Sequence, residues 1–278
     1  MTRDASDTVD GAIISHGPSS SRIYLMKLGQ ADTAKLIGTL KHLAETLGYT
    51  KIFAKVPQSA AAPFLHAGYT AEASVPGLCR GKEPGLFLGY YLEESRRIPE
   101  DLHTIDHILD GCFEKHDAPP PKLSAHIFCR TCTTGDAEDL ASLYQEVFPT
   151  YPFPIHDPAY IRETMEAHTQ YTGIFSNSQL VAAASAEMDP DTLSAEMTDF
   201  ATAPAWRGRG LARYLLHSLE SNTADAGILT SYTIARAVSP GMNYTFAAAG
   251  YRYGGLLTNN TQIAGSVESM NVWHKSLR

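Results

Sequence analysis

Two hydrophobic periods alternate along the chain. In "PEDLHTIDHILDGCFEKH", apolar residues at 102, 105, 108, 109 and 112 keep helical spacing. After a Pro cluster, positions 126–132 read as a strand, and "GDAEDLASLYQEVF" as a helix with Asp136 at its N-cap. A Pro-rich corner, "PTYPFPIHDP", leads into a second helix, "AYIRETMEAHT". Strand-like runs follow near 171–176, 179–188 and 194–202. Leu211, Leu215 and Leu219 recur at i+4 and predict a helix over 210–221. A strand near 228–238, a short helix near 241–249 and a closing strand pair complete the pattern. The prediction is an α/β domain with a mixed (α+β) sheet, of roughly 150 residues.

The pattern also repeats. "IFAKVPQSAAAPFLHAGY" (52–69) aligns without a gap on "IARAVSPGMNYTFAAAGY" (234–251), at a constant offset of 182. Each copy is followed by strand-like sequence, "GLFLGYYL" in one and "SMNVWHKSL" in the other. The stretch "HDAPPPKLSA" (116–125) is the clearest linker, because neither a helix nor a central strand tolerates its prolines. The expected organisation is therefore a first domain over 1–117, a Pro-rich linker at 118–124 and a second domain over 125–278.

Composition narrows the choice of function. The 278 residues are 44% hydrophobic and 19% charged, enough apolar material for a sizeable core. With 30 acidic against 22 basic residues, the net charge of −8 argues against a nucleic-acid partner. No apolar run approaches the ~20 residues of a membrane span. The start lacks a basic segment followed by an apolar one, so a cytoplasmic protein without membrane association is expected. Cys129 and Cys132 form a CxxC in a strand-like run, with no second CxxC to complete a zinc site. They read as small buried strand residues, and no metal is expected.

Chemistry concentrates in "AEMTDFATAPAWRGRGLARYLLHSLE" (195–220). A strand meets a Pro, then an Arg/Gly cluster, and becomes a helix. The first helical turn offers unpaired N–H groups and the positive end of the dipole. Gly208 and Gly210 let a bulky anion approach the backbone, and Arg207, Arg209 and Arg213 add charge; pyrophosphate is the natural guest. In the strand before it, Ala195 and Met197 share one face while Phe200 falls on the other. A core-facing register on both sides then requires a bulge near Thr198-Asp199, which splays this strand from its neighbour. The first copy has no such turn: "KLGQADTAKLIGTL" stands in its place.

Arg207-x-x-Gly210-x-Ala212, preceded by a strand and Ala-Pro, resembles the Q/R-x-x-G-x-G/A acetyl-CoA signature of the GNAT N-acetyltransferases. The resemblance implies a GNAT fold in the C-terminal half and a degenerate GNAT-like N-terminal half. It implies that the amides of Gly208, Arg209, Gly210, Leu211, Ala212 and Arg213 cradle the CoA pyrophosphate. Phe200, Ala201 and Thr202 are expected to bind the pantetheine arm through the main chain. Further segments, "YPFPIHDPAYIRETM", "AAASAEMD", "NNTQIAG", "ESMNVWHK" and, in the first half, "YTKIFAKVP", look like those of the β-lysine N6-acetyltransferases over nearly the whole chain. Those enzymes work with a lysine 2,3-aminomutase to make Nε-acetyl-β-lysine, a compatible solute. The resemblance thus implies transfer of acetyl from acetyl-CoA to the N6 amine of β-lysine by direct attack in a ternary complex.

Such transfer needs a proton acceptor. An ammonium with a pKa near 10.4 costs roughly 4.6 kcal/mol to deprotonate at pH 7, and a carboxylate can take that proton. Glu196 is the first candidate and Asp199 the second; the alternative for each is a hydrogen-bonded strand carboxylate. Many relatives carry a Tyr as general acid where this chain has Phe246, so the acid is unassigned; Asn243 or Tyr244 could supply a hydrogen bond. Asn243 and Phe246 are grouped with the cofactor site. Arg236 is a candidate for the substrate carboxylate, or a structural salt bridge. Tyr151 and Phe153, with Glu268, are candidates for shaping the acceptor pocket. Two alternatives remain at this point: another small amine, amino acid or aminoglycoside as acceptor, and a non-catalytic acetyl-CoA sensor whose first half forms a homodimer.

Overall fold

The computed structural model describes residues 4–115, 119–263 and 265–278. The expected boundary at 117, and the start of the linker, fall on 116–118, outside those residues. Among the described residues, thirteen strands form one continuous sheet.

The first half runs β1 (Ala5–Val9), β2 (Ala12–Gly17), β3 (Arg22–Lys27), α1 (Thr33–Leu47), β4 (Lys51–Pro57), α2 (Ala61–His66), β5 (Thr70–Cys79) and β6 (Glu83–Tyr91). Then come α3 (Leu102–Phe113), β7 (Ile127–Thr131), α4 (Ala137–Val147) and α5 (Pro158–Ala167). The second half continues with β8 (Thr169–Ser176), β9 (Gln179–Asp189), β10 (Ser194–Thr202), α6 (Leu211–Asp225), β11 (Thr230–Arg236), α7 (Pro240–Ala248), β12 (Arg252–Ile263) and β13 (Ser266–Ser276).

The repeat is topological as well as sequential. In each half, three antiparallel strands lead through a helix to a parallel strand, then through a second helix to a hairpin. The last strand of each hairpin inserts between its partner and the parallel strand, as β6 and β13. The 182-residue offset carries equivalent side chains. Phe64 and Phe246 are fully buried, and each meets a tyrosine edge-on, Tyr69 at 5.2 Å and Tyr251 at 5.0 Å. Both tyrosines donate their backbone N–H to the phenylalanine carbonyl at 3.1 Å.

The halves join edge to edge where β5 meets β12, at Ala73 opposite Gly255. A Cβ on Gly255 would stand 2.2 Å from the Glu72 carbonyl, so the seam requires glycine there. Buried polar contacts tie the seam on one side: Lys51, itself fully buried, bonds Glu72 and the Thr258 carbonyl, and Arg96 bonds the Asn259 carbonyl. An apolar cluster from both halves, including Tyr24, Phe53, Phe87, Tyr232, Leu257 and Met270, fills the shared face.

One expectation is corrected. Asp136 is not a simple N-cap. A 3-10 turn at Thr134–Asp136 precedes α4, and Asp136 closes a capping box with Thr133 while pairing with Arg130. Helix α3, ahead of the prolines, packs into the second half. Ile105, Ile108, Leu109 and Cys112 of α3 pack with Phe246 and the leucines of α6 in the core of the second half. The predicted bulge is present: Thr198 pairs with Ser185 and Ala201 with Ala183, leaving one extra residue on β10. Asp199 takes the strain, with φ +54°.

Candidate functional site

The bulge decides where a ligand can enter. Ala195, Met197 and Phe200 pack against the core under α6 and α7, whereas Ala201 joins the core under α4 and α5. Beyond the bulge β10 therefore follows β9 and leaves β11. Parallel pairing of β10 with β11 ends at Glu196 opposite Tyr232. Phe200 and Phe246 meet edge-on at 5.5 Å and line the gap. Thr202 lies past it, at the end of the strand, with its carbonyl accepting from Arg207 Nε at 3.2 Å.

The chain next passes through a 3-10 turn, Pro204–Trp206, into the Arg/Gly segment. Arg207, Gly208, Arg209 and Gly210 are all exposed, and the two glycines have φ of +76° and +73°. Gly210 is the N-cap of α6 and has no side chain to satisfy the first-turn amides of Leu211, Ala212 and Arg213. Arg209 lies over the Trp206 ring, and Arg213 Nε is buried without a partner. None of the three arginines forms an ion pair among the described residues. Open amides, the dipole end and unpaired guanidinium groups suit a pyrophosphate.

Behind the gap lies a cavity of about 230 Å³, walled by both halves. Glu196, Asp199, Tyr151, Phe153 and Arg236 line it, together with residues that sequence reasoning missed: Arg22, Tyr24, Lys55, Glu187, Tyr232 and Asn260. Four of these are polar residues on strands that the motif does not touch. Glu187 alone carried a signal, since a hairpin closed at Asp189–Ser194 sets Glu187 opposite Glu196.

That cross-strand pair of carboxylates dominates the electrostatics. Like charges directly opposite are unfavourable. Burial, then Glu196 and Asp199, push Glu187 up to about 8. Its side chain nevertheless faces the cavity and is solvent-accessible, so cavity water limits that rise. Burial also raises Glu196, while Lys55 and Tyr232 pull it partly back. Lys55 Nζ donates to the Tyr232 hydroxyl at 3.0 Å. Burial would lower this ammonium, but Tyr232, Tyr24 and Glu196 outweigh it, and Lys55 holds its proton more tightly than usual. Asp199 is raised by burial, although Tyr151 and Ser185 each donate to one of its oxygens at 2.6 Å.

Three candidates have other work. Asn243 is fully buried; its Nδ2 donates to the Arg236 and Ser239 carbonyls, and its Oδ1 accepts from Asn271 and Trp273. Its side chain braces α7 against β13 and has nothing left for a cofactor. Arg236 and Glu268 form a bidentate pair, Nε to Oε2 at 2.8 Å and Nη2 to Oε1 at 2.7 Å. Of the two alternatives for Arg236, the salt bridge is the one present, and Glu268 holds Arg236 instead of lining the cavity.

A strand splayed at a bulge, followed by an Arg/Gly turn opening a helix, defines an acetyltransferase of the GNAT class. The model for "Acetyltransferase (GNAT) family" matches residues 137–243. The chain is 37% identical over 267 residues to the β-lysine N6-acetyltransferase of Methanococcus maripaludis, covering 96% of this chain and 97% of that one. It is 32% identical to the β-lysine N6-acetyltransferase of Methanosarcina mazei, over 87% and 97% of the two chains. It is 39% identical to the N-acetyltransferase YodP of Bacillus subtilis, over 69% and 73%. The chain belongs to the β-lysine N6-acetyltransferase family, and it is an N-acetyltransferase. GNAT enzymes use acetyl-CoA.

Proposed function

We propose that this protein transfers acetyl from acetyl-CoA to the N6 amine of β-lysine, giving Nε-acetyl-β-lysine, a compatible solute. The observation that carries the reading is the acid-walled cavity at the β10–β11 gap, in a chain matched almost end to end by β-lysine N6-acetyltransferases. A substrate with two ammonium groups and one carboxylate carries net positive charge, and Glu187, Glu196 and Asp199 answer it. The residues from Arg207 to Arg213 hold the cofactor's pyrophosphate, and Phe200 to Thr202 hold its pantetheine arm. The domains proposed are 1–117, degenerate and GNAT-like, and 125–278, catalytic, joined by a linker at 118–124.

Acetyl-CoA, when bound, supplies an acyl carbon activated as a thioester. Glu196 accepts a proton from the N6 ammonium and frees the lone pair for attack. The N–C bond forms, the C–S bond breaks with its electron pair leaving on sulfur, and the nitrogen's second proton passes to that thiolate, giving the amide and the free thiol. Asp199, with both oxygens already holding hydroxyl donors, fixes the bulge. Backbone N–H groups of β10 facing the gap are the donors for the developing oxyanion. A lysine 2,3-aminomutase would supply the substrate. The test is thiol release with purified protein, acetyl-CoA and β-lysine, and mass spectrometry of the product. Acetylation at N6 is expected; turnover of other amines but not β-lysine would overturn the reading.

A further inference from the structure

Four cationic side chains line the cavity among the described residues: Arg22, Lys27, Lys55 and Arg236. Lys27 faces Asp189 at 3.3 Å, Lys55 bonds Tyr232 beside Glu196, and Arg236 is held by Glu268. Arg22, from the first half, differs. It is 4% exposed, yet its Nη1 donates only to neutral acceptors, the Asn260 carbonyl at 2.6 Å and Thr261 Oγ1 at 2.8 Å. No carboxylate lies within ion-pair distance among the described residues; Asp4 and Glu196 act on it only from farther away. Among the described residues its Nε is buried without a partner, and so is Oδ1 of the neighbouring Asn260.

A buried charge without a counter-charge is costly, so a retained one points to an ion that arrives later. The geometry of the guanidinium indicates which ion. Nε and Nη2 form the edge that matches a carboxylate with two parallel hydrogen bonds. Arg236 turns that same edge to Glu268. In Arg22 it carries no acceptor among the described residues, while Nη1 anchors the group and the rings of Tyr24 and Phe53 lie 5.5 and 5.7 Å from its carbon.

We propose that Arg22 binds the carboxylate of the acceptor, with the ammonium groups turned toward Glu187, Glu196 and Asp199. This deepens the function proposed above and rests on the acceptor being an amino acid. The half that lacks the Arg/Gly turn then has a definite task. It selects diamino acids over polyamines, which match the acidic wall but bring no carboxylate.

The experiment compares β-lysine with pentane-1,4-diamine, the same molecule without its carboxylate, and with β-lysine amide. Wild-type protein should prefer β-lysine over either analogue by about 100-fold in kcat/KM. In Arg22→Met that preference should collapse to within a few-fold, and Arg22→Lys should recover only part of it. Calorimetric titration with CoA establishes that each variant is folded. Should Arg22→Met not fold, Arg22→Lys and the wild-type comparison with the amide decide the matter. Equal wild-type rates on β-lysine and its amide, or an unchanged preference in a folded variant, overturn the anchor while leaving the substrate standing. Inactivity on β-lysine, with another amino acid acetylated in an Arg22-dependent way, overturns the substrate and keeps the anchor.

Discussion

Two carboxylates set opposite one another give the site its acid–base character. Glu196 was legible because it precedes a recognisable motif on a strand; Glu187 requires the hairpin register, and the partners across the cavity require the tertiary fold. Glu196→Gln should lower kcat about 10-fold or more with little change in acetyl-CoA affinity, as for a group used in the transition state. Raising pH should recover part of the loss, since more of the amine is then already neutral. Unaltered rates across pH 6–9 would pass the role to Glu187 or to water. Glu187→Gln makes a different prediction, on stability. Its carboxyl titrates higher in the folded chain than in the unfolded one, because burial and the neighbouring carboxylates of Glu196 and Asp199 oppose its ionisation. Ionisation therefore opposes folding; the penalty is absent below the ordinary carboxylate range and complete once the pH exceeds the raised folded value. The amide variant should melt at a higher temperature than wild type, by a margin that widens from pH 5 to pH 9. A margin independent of pH would show that the carboxylate pair is not the cause.

At the scale of elements, the bulge and the turn lie together, one opening the sheet and the other exposing first-turn amides that suit an anion. Both were readable from local rules: the change of apolar face in β10 and the glycines before α6. The hydrogen bonds that occupy Asn243 run to Arg236 on β11, to Ser239 just before α7 and to Asn271 and Trp273 on β13, and sequence spacing does not reveal them. The structure also changes how the turn should be probed. A side chain at Gly210 would strain a backbone with φ +73° and stand 2.8 Å from Pro121, so Gly210→Asp would mix folding with binding. Arg207 and Arg209 are exposed, and among the described residues each makes a single hydrogen bond, to a carbonyl, with Arg209 also lying over the Trp206 ring. Arg207→Glu with Arg209→Glu should weaken acetyl-CoA binding about 10-fold or more, at an unchanged melting temperature. The weakening should shrink as salt is raised, because exposed charges are screened. Wild-type affinity in the double variant, measured by calorimetry at low salt, would remove these arginines from the site.

The whole molecule sets one topology beside itself and uses the copies differently. In the first half β3 also carries a bulge against β2, with Met26 as the extra residue between Leu25 and Lys27, but no residue there has the positive φ of Asp199, and β3 stays paired with β4 through Leu25 opposite Ala54. Where α6 begins at a bare glycine, α1 begins at Asp32, whose side chain accepts from Lys35 N. A carboxylate already sits on that helix N-terminus and repels a second anion. Closed strands and a capped helix leave the first half without either part of a cofactor site. Its contribution is instead to the cavity wall, through Arg22, Tyr24 and Lys55. This division was only half visible in the sequence: the missing turn could be read, but the cavity depends on the two halves of the sheet meeting at Gly255. One acetyl-CoA should therefore bind per chain. Calorimetric titration of the full-length protein should give a stoichiometry near one, and Asp32→Gly should leave it at one, since the paired strands still exclude the pantetheine arm. A wild-type stoichiometry of two would mean that the first half keeps a working cofactor site. Two for Asp32→Gly alone would mean that the cap, and not the closed strands, is what silences it.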